Sequence, residues 1–224
     1  MAGRAYPRPR PTGVVGTRGI ANRTATTDIL AFVKKTAKRS GKILSKRTVF
    51  KGKLFTVAIE NIADPEGNKG RRDIVHHGGS VVILPLDSSQ REPRVLLVRQ
   101  FRHAAGQYLW ELCAGGLDGD EDPLVGAKRE LIEETGYTSE KWEKAMFFYV
   151  SPGFLDESMT IYLARDIKKG KAQPEEDEFI TKRLFPLSAA VKMALTGKIL
   201  DAKTIAGILW LQQHLAGAKR PHRR

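Results

Sequence analysis

The chain has 224 residues, 41% hydrophobic and 28% charged, which suits one domain of ordinary size plus a smaller element around a sizeable core. No apolar run approaches the roughly 18 residues that span a bilayer, which argues against a membrane protein; the lone Cys113 excludes an intramolecular disulfide and suits a reducing, cytoplasmic setting. The net charge of +13 is local: residues 1–59 hold 14 Lys/Arg and one acid, Asp28, whereas residues 60–224 hold 24 of each sign, so the body is neutral and offers no basic face for nucleic acid.

Residues 1–24 carry Pro7, Pro9 and Pro11, several Gly and Arg, and few large apolar groups, too little to order the segment by burial. The stretch is Arg-containing and acid-free, as transit peptides are, but its prolines oppose the amphipathic helix such peptides need. Thr27 to Ser40 can form a short basic helix, with Ile29, Leu30, Phe32 and Val33 on one side and Gly41 as its end. The division expected is therefore an N-terminal extension at 1–41, an antiparallel β unit at 42–79, a main domain at 80–217 and a basic tail at 218–224.

From Ile43 the pattern becomes that of strands. Ile43–Phe50, Leu54–Ile62 and Arg71–Val75 form the antiparallel unit, with a turn over Pro65–Asn68. After Gly78-Gly79 come Val81–Leu86, Val95–Arg99 and Leu109–Leu112. A helix follows, then strands Ala145–Val150, Met159–Ala164 and Ile180–Phe185. Helices Ser188–Leu195 and Ala202–Leu215 close the chain. Strands interspersed with a few helices predict a layered domain of the α+β class.

The segment from Gly115 to Tyr137 reads GGLDGDEDPLVGAKRELIEETGY. Asp122 followed by Pro123 is a helix start, and Gly136 is a helix stop. Between them Glu130, Glu133 and Glu134 stand at i, i+3 and i+4, which puts three carboxylates on one face, where in isolation they repel. Hard divalent cations take carboxylate oxygens, so such a cluster can hold a metal where a phosphate completes its coordination. Arg129 is placed to pair with Glu121 or Glu133. The alternative is an ordinary solvated acidic helix face. The wider spacing decides against it: Gly115, five residues, Glu121, seven residues, Arg129-Glu130-Leu131-Ile132-Glu133-Glu134-Thr135-Gly136. Seven fixed residues at average usage coincide by chance roughly once in 10⁸ positions.

This spacing is that of the Nudix box, and the chain resembles the Nudix hydrolases, within them the ADP-ribose pyrophosphatase group. The resemblance implies a mixed β-sheet sandwiched between helices. It also implies a divalent metal, Mg2+ with Mn2+ as a possible substitute, bound by the Ala114 carbonyl, Glu130 and Glu134. Glu133 and Arg129 belong to the same catalytic cluster. Outside the box, Arg99-Gln-Phe-Arg102, Trp110-Glu-Leu-Cys-Ala-Gly115 and Ser151-Pro152-Gly153 resemble segments of that group. By the resemblance Arg72 and Arg102 contact phosphate or ribose and Glu111 bonds the base or ribose. Leu117, Ser151, Gly153 and Glu157 are further substrate contacts. Cationic forks suit a diphosphate. The general base is expected in the acidic run Pro174–Glu178, with Glu175 first and Glu176, Asp177 and Glu178 open. In this group the N-terminal β unit exchanges between two subunits, so a homodimer is expected.

The activity implied is hydrolysis of ADP-ribose to AMP and ribose 5-phosphate. A GDP-mannose or other nucleotide-sugar pyrophosphatase is the alternative, because the Glu111–Gly115 stretch and Thr196-Gly-Lys-Ile-Leu-Asp-Ala-Lys-Thr204 resemble segments there too. A non-catalytic nucleotide- or RNA-binding module is the reading of another class; such modules usually lose box glutamates that this chain keeps. Outside the resemblance, His76 and His77 read as residues of a strand end, and Cys113 as a small buried hydrophobe.

Overall fold

The structure, a computed structural model, describes residues 41–170 and 180–218. The expected helix at 27–40, the acidic run at 175–178 and the residues after 218 lie outside them. Three strands, β1 (Lys42–Lys51), β2 (Phe55–Ala63) and β3 (Lys69–His77), form a separate antiparallel sheet in chain order. The turn between β2 and β3 is made by Asp64, whose carboxylate accepts from the backbone N–H groups of Glu66 and Asn68, with Gly67 at φ 91°.

The main sheet contains β4 (Ser80–Asp87), β5 (Arg94–Arg102), β6 (Gln107–Glu111), β7 (Ala114–Gly116), β9 (Lys141–Tyr149), β10 (Ser158–Arg165) and β12 (Thr181–Pro186). Its main order is β12-β5-β4-β10-β9, with β10 parallel to β4 and the other pairs antiparallel. β8 (Tyr137–Thr138) and β11 (Lys168–Lys169) make a small ribbon.

β4 reads as a continuous apolar run because it is buried on both faces. Alternation sends Val82, Leu84 and Leu86 into one cluster with Leu112, Ile161, Ile199, Ile208 and Leu211, under helices α2 (Leu187–Leu195) and α3 (Ala202–Ala218). Val81 and Ile83 point the other way, onto Ala127 and Leu131 of the helical segment that begins with α1 (Pro123–Glu130). The sheet is thus sandwiched between helices, as expected.

A wedge in this sheet places the site. β4 and β5 pair only at Leu86–Val95 and Asp87–Arg94, then diverge. The chain from 107 to 116 fills the gap, first against β5 (Val98 opposite Glu111), then against β4 (Val82 opposite Ala114). The Ile83 N–H donates to the Cys113 carbonyl at the crossover. Three-residue β7 has no usable periodicity, so the sequence did not announce it; the same holds for β8 and β11.

Candidate active site

The helix over the site starts as the sequence predicts. Asp122 accepts from the N–H groups of Leu124 and Val125, and Pro123 takes the first helical position. It ends at Gly136 with φ 67°. The last turn differs: Leu131–Thr135 is wound as a π-helix. Regular i, i+3, i+4 stacking therefore does not hold through the carboxylates. Glu134 turns inward to 6% exposure, while the Glu133 side chain stays at 31%. Lys182 of β12 donates to the Thr135 carbonyl and satisfies one of the orphan acceptors of this end.

Arg129 organises the acids. Its Nε and Nη2 reach Glu121 at 3.2 and 3.0 Å, and its Nη1 donates to Glu130 Oε1 at 2.8 Å and Glu133 Oε2 at 2.9 Å. Nη2 also donates to the Gly116 carbonyl. These bonds, above all that to Glu121, raise the guanidinium further above its ordinary range, and Arg129 in turn lowers the Glu121 carboxyl. One cation pairs with four carboxylates, those of Glu121, Glu130, Glu133 and, at 3.8 Å, Asp118, and Glu134 is a further acid on the segment, so negative charge is left over.

Gly115 makes a close approach possible. A Cβ there would stand 1.9 Å from Glu130 Oε1, so the Glu130 carboxylate lies directly against the Gly115 backbone. The carboxylates of this segment, with Glu130 against the Gly115 backbone, offer hard oxygen donors of the kind a divalent cation takes. Among the described residues, no group of three or more His, Cys, Asp or Glu side chains is arranged to hold a metal. The set expected from the sequence, Ala114, Glu130 and Glu134, comprises two side chains and one backbone carbonyl.

Just upstream, Arg102 at the end of β5 and Glu111 at the end of β6 form a bidentate fork. Glu111 is 1% exposed, and its oxygens are taken by Arg102 and by Lys203 Nζ at 2.6 Å. Burial pushes this carboxyl up, but the Arg102 bonds and the Lys203 charge outweigh it and hold Glu111 below the usual carboxylate range. Among the described residues, the Glu111 carboxylate thus faces Arg102 and Lys203. Arg102, at 42% side-chain exposure, keeps a face to solvent.

The remaining expected residues fall into two groups. Glu157 belongs near the box: it accepts from the Ser80 hydroxyl, and Ser80 pairs with Gly116. Leu117 packs half-buried toward Gly126 and the core under the helix. The Ser151 carbonyl closes a turn by accepting from Phe154 and Leu155, with Gly153 exposed within it. Arg72 stands apart on exposed β3, its guanidinium donating to the Arg71 carbonyl; among the described residues no hydrogen bond or ion pair joins it to the box. Glu175 lies outside the described residues.

Two networks were missed by sequence reasoning. His76 is half-buried between Asp156 (2.6 Å) and Glu60 (2.9 Å), with Lys46 on the same ring nitrogen as Glu60. At the start of α3, Asp201 accepts from the Thr204 N–H and from Lys203, and the Thr204 hydroxyl accepts from the Leu112 N–H. The Asp201–Thr204 spacing of a helix cap was the only local signal for the second.

The chain is similar to known proteins over most of its length. The NUDIX domain family model matches residues 76–207. An ADP-ribose pyrophosphatase of Bacillus subtilis (strain 168) is 36% identical over 173 residues, 76% of this chain and 92% of that protein. A GDP-mannose pyrophosphatase of Shigella flexneri serotype 5b (strain 8401) is 35% identical over 159 residues, 66% and 81% of the two. The crystal structure of an ADP compounds hydrolase superposes with a TM-score of 0.69 at 20% identity, covering 83% of this chain and all of that one.

Proposed function

The chain belongs to the Nudix family, and from that membership we propose that it is a divalent-metal-dependent hydrolase of nucleoside diphosphate sugars, with ADP-ribose as substrate and AMP and ribose 5-phosphate as products. The observation that carries this reading is the Glu130 carboxylate held between Arg129 and the Gly115 backbone, close in sequence to the Arg102–Glu111 fork. The cationic fork for a diphosphate lies on the strands of the wedge, and the acids for a cation lie on the helical segment over it, with the Glu134 charge acting on Arg102.

Ala114, Glu130 and Glu134 would hold the cation, Mg2+ or Mn2+, which when bound neutralises phosphate charge and makes a coordinated water more acidic. Arg129 restrains Glu130 and Glu133 against their mutual repulsion. Arg102 orients the diphosphate through the donors that Glu111 does not use. Leu117, Ser151, Gly153 and Glu157 line the approach. Water attacks one phosphorus, the bridging oxygen leaves with the other phosphate, and the acidic run at 175–178, Glu175 first, takes the proton.

A homodimer through the N-terminal sheet completes the proposal. All ten residues of β1, an edge strand, are exposed, and among them Ile43, Leu44, Val49 and Phe50 are apolar side chains of the kind proteins cover. Arg72, remote from its own chain's box contacts, would serve the neighbouring site. No helix among the described residues is long and apolar enough to cross a membrane; we place the protein in the cytoplasm on its one buried cysteine.

The Shigella relative supports GDP-mannose as the second substrate reading. The deciding experiment is product release from ADP-ribose, GDP-mannose, other ADP-sugars and capped RNA, with and without Mg2+. Metal-dependent AMP from ADP-ribose above the rest is expected. GMP from GDP-mannose would replace the substrate, and no release from folded protein would leave a binding module.

A further inference from the structure

Four charged side chains meet where α3 begins. Arg102 and Lys203 face Glu111 and Asp201: Arg102 Nε and Nη2 donate to the two Glu111 oxygens at 2.8 Å, and Lys203 Nζ donates to Glu111 Oε2 at 2.6 Å and Asp201 Oδ1 at 3.0 Å. The Glu111 and Lys203 side chains are 1% and 8% exposed. The cluster is neutral as built, and Arg102 is its only member with a substantial face to solvent.

We propose that Lys203 is a charge-balancing positioning residue: by offsetting one of the two carboxylates of the cluster it leaves Arg102 able to present cationic donors to an anionic diphosphate. The inference rests on the reading that Arg102 meets the substrate's diphosphate.

The charge arithmetic carries it. Without the Lys203 charge, one guanidinium serves two carboxylates, and a net negative charge sits behind the diphosphate site in a poorly screened interior. Lys203 is too enclosed to serve as an ordinary surface cation, and its donors are directed at Glu111 and Asp201. Its placement is firm: Asp201 accepts from the Thr204 N–H at the start of α3, the Thr204 hydroxyl bonds Leu112, and Gly207 lets α3 approach Leu112 so closely that a Cβ would come within 2.7 Å of Leu112 Cδ1. The burial of Lys203 is consistent with a buried charge retained for specificity rather than stability.

The test compares wild type, Lys203→Met, Asp201→Asn and Asp201→Asn/Lys203→Met. ADP binding is measured by calorimetry, KM and kcat for ADP-ribose with Mg2+, and melting temperature for each. Lys203→Met, left one negative charge in excess, should weaken ADP binding and raise KM by about tenfold, with kcat changed less than about threefold. The double variant, neutral again, should return both constants to within about twofold of wild type. Asp201→Asn, one positive charge in excess, should bind ADP more tightly than wild type and carries the test if Lys203→Met does not fold. Unchanged ADP affinity in folded Lys203→Met overturns the proposal. So does a double variant as weak as Lys203→Met, which would mean direct contact or a purely structural tie. Wild type that binds ADP but hydrolyses no nucleotide sugar removes the functional reading while the binding series still decides the charge balance; wild type that binds no ADP removes the proposal's premise.

Discussion

His76 Nδ1 lies 2.6 Å from Asp156 Oδ2, and this contact joins the N-terminal sheet to the turn that leads into β10. The other Asp156 oxygen accepts from the His77 N–H, and the Val75 N–H donates to the Phe154 carbonyl. Burial raises the Asp156 carboxyl, but the His77 and His76 bonds outweigh it and hold it low. A strand end that reads as surface in the sequence is therefore a fastening point.

Replacing His76 with Ala removes the group shared by Asp156 and the buried Glu60. The expected cost is about 1–3 kcal/mol of stability, with faster amide exchange in β3 than in β4. Equal exchange in both strands would show that the sheet is not fastened here.

Gly115→Ala should abolish most turnover while leaving the fold intact. The new Cβ would meet the Glu130 carboxylate at 1.9 Å, so that side chain must swing away from its place against the Gly115 backbone. We expect a loss of about a hundredfold or more in kcat/KM with a nearly unchanged circular-dichroism spectrum; normal kinetics would remove Glu130 from the metal set.

Glu134→Gln tests the inward-turned carboxylate. Its charge is expected to matter for the cation far more than for folding, so turnover should fall by about a hundredfold or more at saturating Mg2+. Near-normal activity would contradict its assignment as a ligand.

Acid stability should report Glu111. Its folded pKa is held below the unfolded value, so its contribution to stability is fully present above about pH 4.5 and is lost as pH falls through the lower folded value. Denaturant midpoints should be insensitive to this group between pH 5 and 7 and fall more steeply below that range in wild type than in Glu111→Gln. Parallel curves would assign the acid transition to other carboxylates.

Light scattering should give a dimer, and Phe50→Glu on the exposed β1 edge should give a monomer. A monomeric wild type would withdraw the shared-site role of Arg72.

The helix of the box was legible in the sequence. Asp122, Pro123 and Gly136 fix where a helix begins and ends by local backbone rules, and the Glu121–Arg129–Glu130 spacing brings charges together over one or two turns. The strand order of the N-terminal unit and the apolar run of β4 were legible for the same reason, because periodicity is local. Tertiary structure decided what depends on residues far apart in the chain: the wedge that sets Ala114 beside Val82, the 92-residue reach from Lys203 back to Glu111, and the His76–Asp156 fastening. Tertiary packing also accompanies the inward turn of Glu134, since the segment must lay Leu131 on Ile83 while Lys182 takes the Thr135 carbonyl. Short-range spacing can specify a cap or a carboxylate cluster; charge balance across a sheet exists only once the sheet has brought its partners into contact.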